Sequence, residues 1–102
     1  MCSISADANY GVTGSFAIRI GGGPDGAARI ERFMQALRGP AGQGLDYRSA
    51  GKSLMRGTTS VVLEGFEVRY AGLPDPIRIY FDTSREEPLM APKGFTCAAA
   101  LK

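Results

Sequence analysis

The chain of 102 residues contains no histidine and no tryptophan, and it has only two cysteines. Histidine is the side chain most often used for proton transfer near neutral pH, and it is the commonest metal ligand. Two cysteines without histidine cannot supply the usual Cys and His ligands of a zinc site. The composition therefore excludes a structural zinc. We predict no metal, no cofactor and no catalytic residue, which leaves enzymatic activity without support.

Long hydrophobic runs and a strong charge of one sign are also missing. No apolar stretch approaches the roughly 20 residues that span a bilayer, and the N-terminus lacks the basic and apolar regions of a signal peptide. Lys and Arg number 12 against 10 Asp and Glu, an excess too small to indicate a nucleic-acid partner. Hydrophobic residues make up 44%, as in ordinary folded domains. We predict one soluble domain without a transmembrane segment.

The two cysteines, Cys2 and Cys97, leave three states open. A bridge between them would close a long loop and stabilise by about 4 kcal/mol on the chain-entropy model, whereas unpaired thiols are expected in the cytoplasm. Met1 directly before Cys2 is also consistent with a start codon placed before a lipoprotein cysteine. Residues 98–102 are typical of a vector-derived tail, so we predict a single domain over residues 1–97.

An irregular lead-in over residues 1–14 precedes a strand and an amphipathic helix. Large apolar residues alternate with Ala17 and Arg19, which predicts a strand with Phe16, Ile18 and Ile20 on its core face. Asp25 stands at the position of a helix N-cap, and the helix is predicted over residues 25–38. Its buried stripe is predicted to comprise Ala27, Ile30, Phe33, Met34 and Leu37. Gly39 and Pro40 are predicted to end the helix, and Arg38 in the last turn interacts favourably with the helix dipole.

The second half of the chain has the alternation of strands. Residues 45–49 predict a short edge strand, and residues 50–59 predict a mobile loop. In the next strand, a bulge near Glu64 and Gly65 would place both apolar phases on the core face. That core set is Val61, Leu63, Phe66, Val68 and Tyr70. Residues 84–97 are expected to cover a sheet edge as coil or to add one short strand.

A hairpin is predicted after the turn at residues 71–74, with Ile77, Ile79 and Phe81 facing the core. Pairing Val68 with Ile77 sets Glu67 opposite Arg78, which is better than setting Arg69 there. The predicted fold class is α+β: one amphipathic helix packed on a three- to four-stranded, mostly antiparallel sheet in the order β-α-β-β-β.

The segment Gly21-x-Gly23-x-x-Gly26 matches the dinucleotide-binding pattern and opens the predicted helix. Pro24 has no N–H to donate to a phosphate, and the carboxylate of Asp25 would repel an anion at that helix end. The chain is also too short for a full mononucleotide-binding half. We therefore interpret the segment as a glycine-rich turn between strand and helix.

Two groups of polar side chains are candidates for a site. Arg19, Arg69, Arg78 and Tyr80 are predicted to share the outward face of the sheet, where they could bind an acidic or planar partner. The alternative is cross-strand pairing of these cations with Glu67 and Asp82. Glu86 and Glu87, with Asp75 or Asp82, could supply paired carboxylates, but solvated surface is the preferred interpretation.

Four segments carry a resemblance to a known family: YGVTGSFAIRIGGGPDG, RFMQALRGPAGQGLDYRSAG, FEVRYAGLPDPIRIYFD and APKGF. Their order of strand, helix, G-P-x-G turn, hairpin and closing segment resembles small bacterial secreted or lipoprotein-type domains of unknown function. Members often carry the automatic label 2-dehydro-3-deoxyphosphooctonate aldolase, which implies a barrel far longer than this chain. The resemblance implies an envelope-associated domain.

These observations favour a non-enzymatic binding or interaction module of the bacterial envelope, or a secreted one, with a protein or a small ligand as partner. A cytoplasmic location is the alternative. The alternative function is a small-molecule-binding or hydrolytic domain that uses the Gly21 to Asp25 turn or the 50–59 loop.

Overall fold

The computed structural model describes residues 3–54, 62–99 and 101. Within them the predicted class, α+β with one helix and a mostly antiparallel sheet, is confirmed. The elements in chain order are a 3₁₀ turn (Gly14–Phe16), β1 (Ile18–Arg19), a second 3₁₀ turn (Gly23–Asp25), α1 (Gly26–Ala36), β2 (Leu37–Arg38), β3 (Asp46–Leu54), β4 (Val62–Arg69), β5 (Ile77–Asp82) and β6 (Thr96–Cys97). No helix in this part of the chain is long and apolar enough to cross a membrane.

The main sheet has four strands in the order β1-β5-β4-β3. β5 pairs antiparallel with β4, and β4 with β3, while β1 joins β5 in parallel. β2 and β6 form a separate antiparallel pair. The free side of β1 is covered by residues 86–87, because Ile20 forms a bridge with Glu86 and the Glu87 amide donates to the Arg19 carbonyl. This agrees with the expectation that residues 84–97 cover an edge.

The helix is shorter than predicted and buries a shifted stripe. Ile30, Phe33 and Met34 are buried as expected, but Ala27 is exposed, while Gly26 and Ala36 are buried in addition. Gly26 belongs to the buried stripe because it packs directly against Thr83. Asp25 is the N-cap residue by position but makes no side-chain capping bond.

The end of the helix also differs from the prediction. Leu37 is buried, but in β2, where the chain is already extended to pair with β6. The guanidinium of Arg38 donates a 2.6 Å hydrogen bond to the carbonyl of Gln35, as expected for a cation at a helix C-terminus. The stop before Gly39 therefore comes two residues early, since strand pairing replaces the last half-turn.

Strand β1 is shorter than the predicted five residues. Ile18 and Ile20 are buried, but the prediction for Phe16 was wrong, since its side chain is 50% exposed. Phe16 is the last residue of a 3₁₀ turn, and its carbonyl accepts a hydrogen bond from the Gly11 amide. The alternation that predicts a core position therefore does not extend back to it.

The predicted hairpin register is confirmed. Val68 pairs with Ile77, and Glu67 lies opposite Arg78. The predicted bulge at Glu64 and Gly65 is wrong, because β4 and β5 pair without a shift; the irregularity lies in β3, between Ser49 and Gly51, opposite Gly65.

Strand β3 confirms the predicted edge strand but extends it to Leu54, so residues 50–54 are strand rather than loop. Residues 55–59 of the predicted loop, and Val61, lie outside the described residues. Cys97 is disulfide-bonded, which resolves the state left open for this cysteine. Leu101, in the segment set apart as a tail, is 4% exposed and belongs to the core cluster.

The core lies between α1 and one face of the sheet. Phe33 of the helix meets Phe81 of β5 edge to face at 5.4 Å, and Phe66 of β4 meets Phe81 at 5.7 Å. The remaining buried members are Ile18, Ile20, Ile30, Met34, Ala36, Leu37, Val68, Ile79, Ala91, Phe95 and Leu101. This apolar layer leaves the opposite face of the sheet as a separate surface.

Candidate functional site

The outer face of the sheet is the face turned away from α1. Val68 and Ile79 point toward the helix, so by alternation Glu67, Arg69 and Arg78 point outward. The same alternation places Arg48 of β3 outward, since it pairs with Glu67. The sheet register therefore carries a set of charged side chains to one surface.

One half of the outer face is covered. Leu63 is 1% exposed but stands outside the core cluster, and it lies under the N-terminal segment, since a Cβ on Gly14 would be 3.4 Å from its side chain. Leu63 is buried, as predicted, but on the outer face rather than against α1. Because β4 buries an apolar residue on each face here, it needs no bulge to bring both phases inward. Asp82, expected outside, is also fully buried in this half.

The uncovered half holds a group that we call the arginine cluster: Arg48, Arg69 and Arg78 around Glu67. Arg48 donates to the Glu67 carboxylate at 2.9 Å, and Arg69 approaches the same oxygen at 3.7 Å. Arg78 is the cross-strand neighbour of Glu67 on the other side and is exposed. Two guanidinium groups thus share a single carboxylate, and a third arginine occupies the neighbouring position on the other side.

The arginine side chains of the cluster are exposed to solvent, whereas the carboxylate of Glu67 is largely covered. The side chains of Arg48 and Arg69 are 76% and 57% exposed, whereas that of Glu67 is 20% exposed. Asp46, paired with Arg69 across the strands, and Tyr47 complete a depression of about 150 Å³ over Arg48, Glu67 and Arg69. The surface therefore offers guanidinium N–H groups to a ligand above it.

The four residues predicted for this face do not form one group. Arg69 and Arg78 belong to the arginine cluster, as the register predicts. Tyr80 lies over Gly65, where a Cβ would meet the ring at 3.6 Å. Arg19 is on β1, two strands from β4, and forms a 2.6 Å ion pair with Glu87.

Cross-strand pairing, the alternative interpretation, holds for Glu67 only through Arg48 of β3, since Arg69 lies on β4 with Glu67, and it does not hold for Asp82. Glu67 takes Arg48 and Arg69 as partners, whereas Asp82 pairs with Arg85 of the following turn. The sequence-based prediction missed Arg48. The signal that could have identified it is the alternation in the expected edge strand, where Arg48 and Asp46 lie on the face opposite to Tyr47.

The glycine-rich turn from Gly21 to Asp25 has three of its amide groups engaged within the protein. The Gly21 and Gly23 amides donate to the carbonyls of Asp82 and Thr83, and the Asp25 amide donates to Gly22. Pro24 has no amide hydrogen. These bonds satisfy the donors that a phosphate-binding turn would direct at its ligand, which agrees with the interpretation of this motif as a structural turn.

The described residues contain no group of three or more His, Cys, Asp or Glu side chains arranged to hold a metal ion. The geometry instead defines an α+β domain with a basic patch on an exposed sheet face. Searches against protein-family models, curated proteins and solved structures find no match to the chain.

Proposed function

We propose that this protein is a non-enzymatic interaction module whose arginine cluster binds an acidic segment of a partner protein. The observation that carries the proposal is the sharing of one carboxylate, Glu67, by the guanidinium groups of Arg48 and Arg69 on an exposed sheet face, with Arg78 as its cross-strand neighbour. One carboxylate neutralises one cation, so the cluster keeps an excess of positive charge even with Asp46 nearby. Carboxylates of a partner would complete these ion pairs.

Arginine suits this role better than a general positive charge would. Each guanidinium is planar and can donate two parallel hydrogen bonds to a carboxylate. The strands fix where the arginine side chains leave the sheet, because the Cβ atoms of directly opposite residues lie about 5 Å apart. A segment with several Asp or Glu residues would therefore meet donors at more than one point.

The first test uses fluorescein-labelled hexaglutamate as the probe and measures binding by fluorescence anisotropy at low salt. Arg78→Ala should weaken binding about three- to fivefold, as expected for one exposed charge pair. Lys93→Ala is the matched control, because Lys93 is exposed in the turn before Phe95 and does not belong to the outer face. Labelled hexalysine should not bind.

The sign of a second substitution separates the cluster from a net-charge effect. Glu67→Gln removes the internal carboxylate that competes with the peptide, so it should strengthen hexaglutamate binding. Hexaglutamate binding by both variants should weaken with added salt, as binding by the wild type does. Equal losses for Arg78→Ala and Lys93→Ala, or weaker binding by Glu67→Gln, would show that the arginine cluster is not the binding surface.

We propose the bacterial envelope as the location of this module. The resemblance to secreted and lipoprotein-type domains supports it, and so does the disulfide-bonded state of Cys97, since disulfides persist in oxidising compartments. Expression of the full-length native gene followed by fractionation should place the protein in the periplasmic or membrane fraction, with Cys97 resistant to alkylation until a reductant is added. A cytoplasmic protein with an alkylatable Cys97 would contradict the proposal.

A further inference from the structure

A cavity of about 640 Å³ lies beside the covered edge of β1, between α1 and residues 86–89. This volume falls in the range of small-molecule sites. The cavity is separate from the arginine cluster in the sheet order, since β5 lies between β1 and Arg69 of β4, and both β5 and β4 lie between β1 and Arg48 of β3. It is thus a different site from the one described above.

The floor of the cavity is apolar and its wall is fixed. Ile20 and Leu101, 1% and 4% exposed, line it together with the half-buried Leu89. The wall segment is held at one end by the bridge from Glu86 to Ile20 and at the other by the bond from the Met90 amide to the Tyr10 hydroxyl. The cavity is therefore built by anchored backbone.

The glycine-rich turn positions two of the charged groups at the cavity. A Cβ on Gly21 would lie 2.9 Å from the Glu86 side chain, and one on Gly22 would lie 2.8 Å from Arg29. Both glycines also have positive φ, of 69° and 94°. The two side chains can therefore cross the turn closely. This gives a physical role to the segment that imitates a nucleotide-binding motif.

Four charged side chains line the cavity, and three of them have partners. Arg29 pairs with Glu86 at 3.2 Å and also donates to the Ile20 carbonyl, while Glu87 pairs with Arg19. Arg32, one helical turn after Arg29, is exposed and forms no hydrogen bond or ion pair with any described residue. The cavity therefore combines an apolar floor with one available guanidinium.

We infer that this cavity binds a small amphipathic carboxylate, with its apolar body against Ile20, Leu89 and Leu101 and its carboxylate on Arg32. The apolar contact supplies most of the affinity by removing hydrocarbon from water, and the guanidinium selects the anion. A neutral molecule of the same shape would leave Arg32 without a partner. A second anionic group would face Glu86 and Glu87.

Isothermal titration calorimetry with octanoate tests this inference on the full chain. Octanoate should bind more tightly than 1-octanol, and Arg32→Gln should weaken octanoate about fivefold while leaving 1-octanol unchanged. Lys93→Gln removes the same charge away from the cavity and should leave octanoate affinity at the wild-type value. Because Arg32 is exposed, its substitution should leave the thermal unfolding midpoint unchanged.

Glu86→Gln provides a test with the opposite sign. It releases Arg29 from its ion pair, so a second guanidinium becomes available and octanoate affinity should rise about threefold. Absence of octanoate binding would overturn the inference. Equal binding of octanoate and 1-octanol, or octanoate affinity unaffected by Arg32→Gln, would overturn it as well. None of these results depends on hexaglutamate binding at the arginine cluster.

Discussion

Asp82 is the one charged residue that is fully buried in the described part of the chain. Its carboxylate accepts hydrogen bonds from the Ser84 amide at 2.8 Å, the Ser84 hydroxyl at 2.6 Å and the Arg85 guanidinium at 3.0 Å. Burial by itself would raise the pKa of this carboxyl, but the bonds from Ser84 and Arg85 outweigh it, so the pKa lies below its ordinary value. The turn after β5 is thus organised around a carboxylate.

The lowered pKa of Asp82 makes part of the stability depend on pH. A carboxyl with a depressed folded-state pKa stabilises the fold above its unfolded pKa, near 3.8, and this contribution is lost as pH falls through the folded-state pKa. Asp82→Asn should lower the free energy of unfolding by about 2 kcal/mol at pH 7, measured with urea. The difference should shrink as the pH falls below the unfolded pKa near 3.8.

The matched control for this prediction is Asp75→Asn, which changes an exposed carboxyl in the hairpin turn. It should have little effect at either pH. A difference between wild type and Asp82→Asn that is the same at pH 7 and at pH 2.5 would show that the contribution is one of shape rather than of charge.

At the scale of elements, the docking of α1 depends on a glycine at its first residue. A Cβ on Gly26 would overlap Cγ2 of Thr83, which follows β5, and would lie 2.7 Å from Cβ of the same residue. This close approach places the helix N-terminus against the end of the strand. It also explains why Gly26, and not Ala27, belongs to the buried stripe of the helix.

Gly26→Ala reverses the usual effect of alanine in a helix. Alanine normally favours a helix by about 1 kcal/mol over glycine, but overpacking against Thr83 should cost about 1–3 kcal/mol and make the variant less stable than wild type. Gly44→Ala is the control, because a Cβ there meets nothing within 4 Å and the φ is not positive. Thermal unfolding measures both, and a Gly26→Ala variant as stable as wild type would refute the packing argument.

The same elements show how far the sequence predicts the fold. Alternation and charge pairing predicted the hairpin and its register, since Glu67 opposite Arg78 is a local constraint that the residues themselves express. The burial of Leu63 under the N-terminal segment is not local, because it depends on where residues 11–16 pass over the sheet. For the same reason, the sequence does not predict the exposure of Phe16 or the pairing of β2 with β6.

The candidate site divides in the same way. Arg69 and Arg78 follow from the alternation of β4 and β5, so the sequence predicts that they share a face. Arg19 also points outward but does not lie beside Arg69, because β1 joins the sheet next to β5. No local sequence pattern specifies this parallel pairing. The cavity at Arg32 requires the bridge between Ile20 and Glu86, which also joins distant parts of the chain.

At the scale of the whole molecule, the sheet separates two kinds of surface. The edge at β1 is closed by residues 86–89 and carries a cavity with an apolar floor, whereas the β4 and β3 side presents the arginine cluster on an open face. The N-terminal segment covers the other half of that face at Leu63. The protein therefore exposes guanidinium groups where backbone cover ends, as a docking surface for an acidic segment requires.

The most direct test of this account is a titration of isotopically labelled protein with unlabelled hexaglutamate, followed by two-dimensional amide NMR. Amide shifts should change at Arg48, Glu67 and Arg78, and the amides of Arg32 and Leu89 at the cavity should stay unchanged. Shift changes confined to the cavity, or spread evenly over all exposed cations, would contradict the proposal that the arginine cluster is the binding surface.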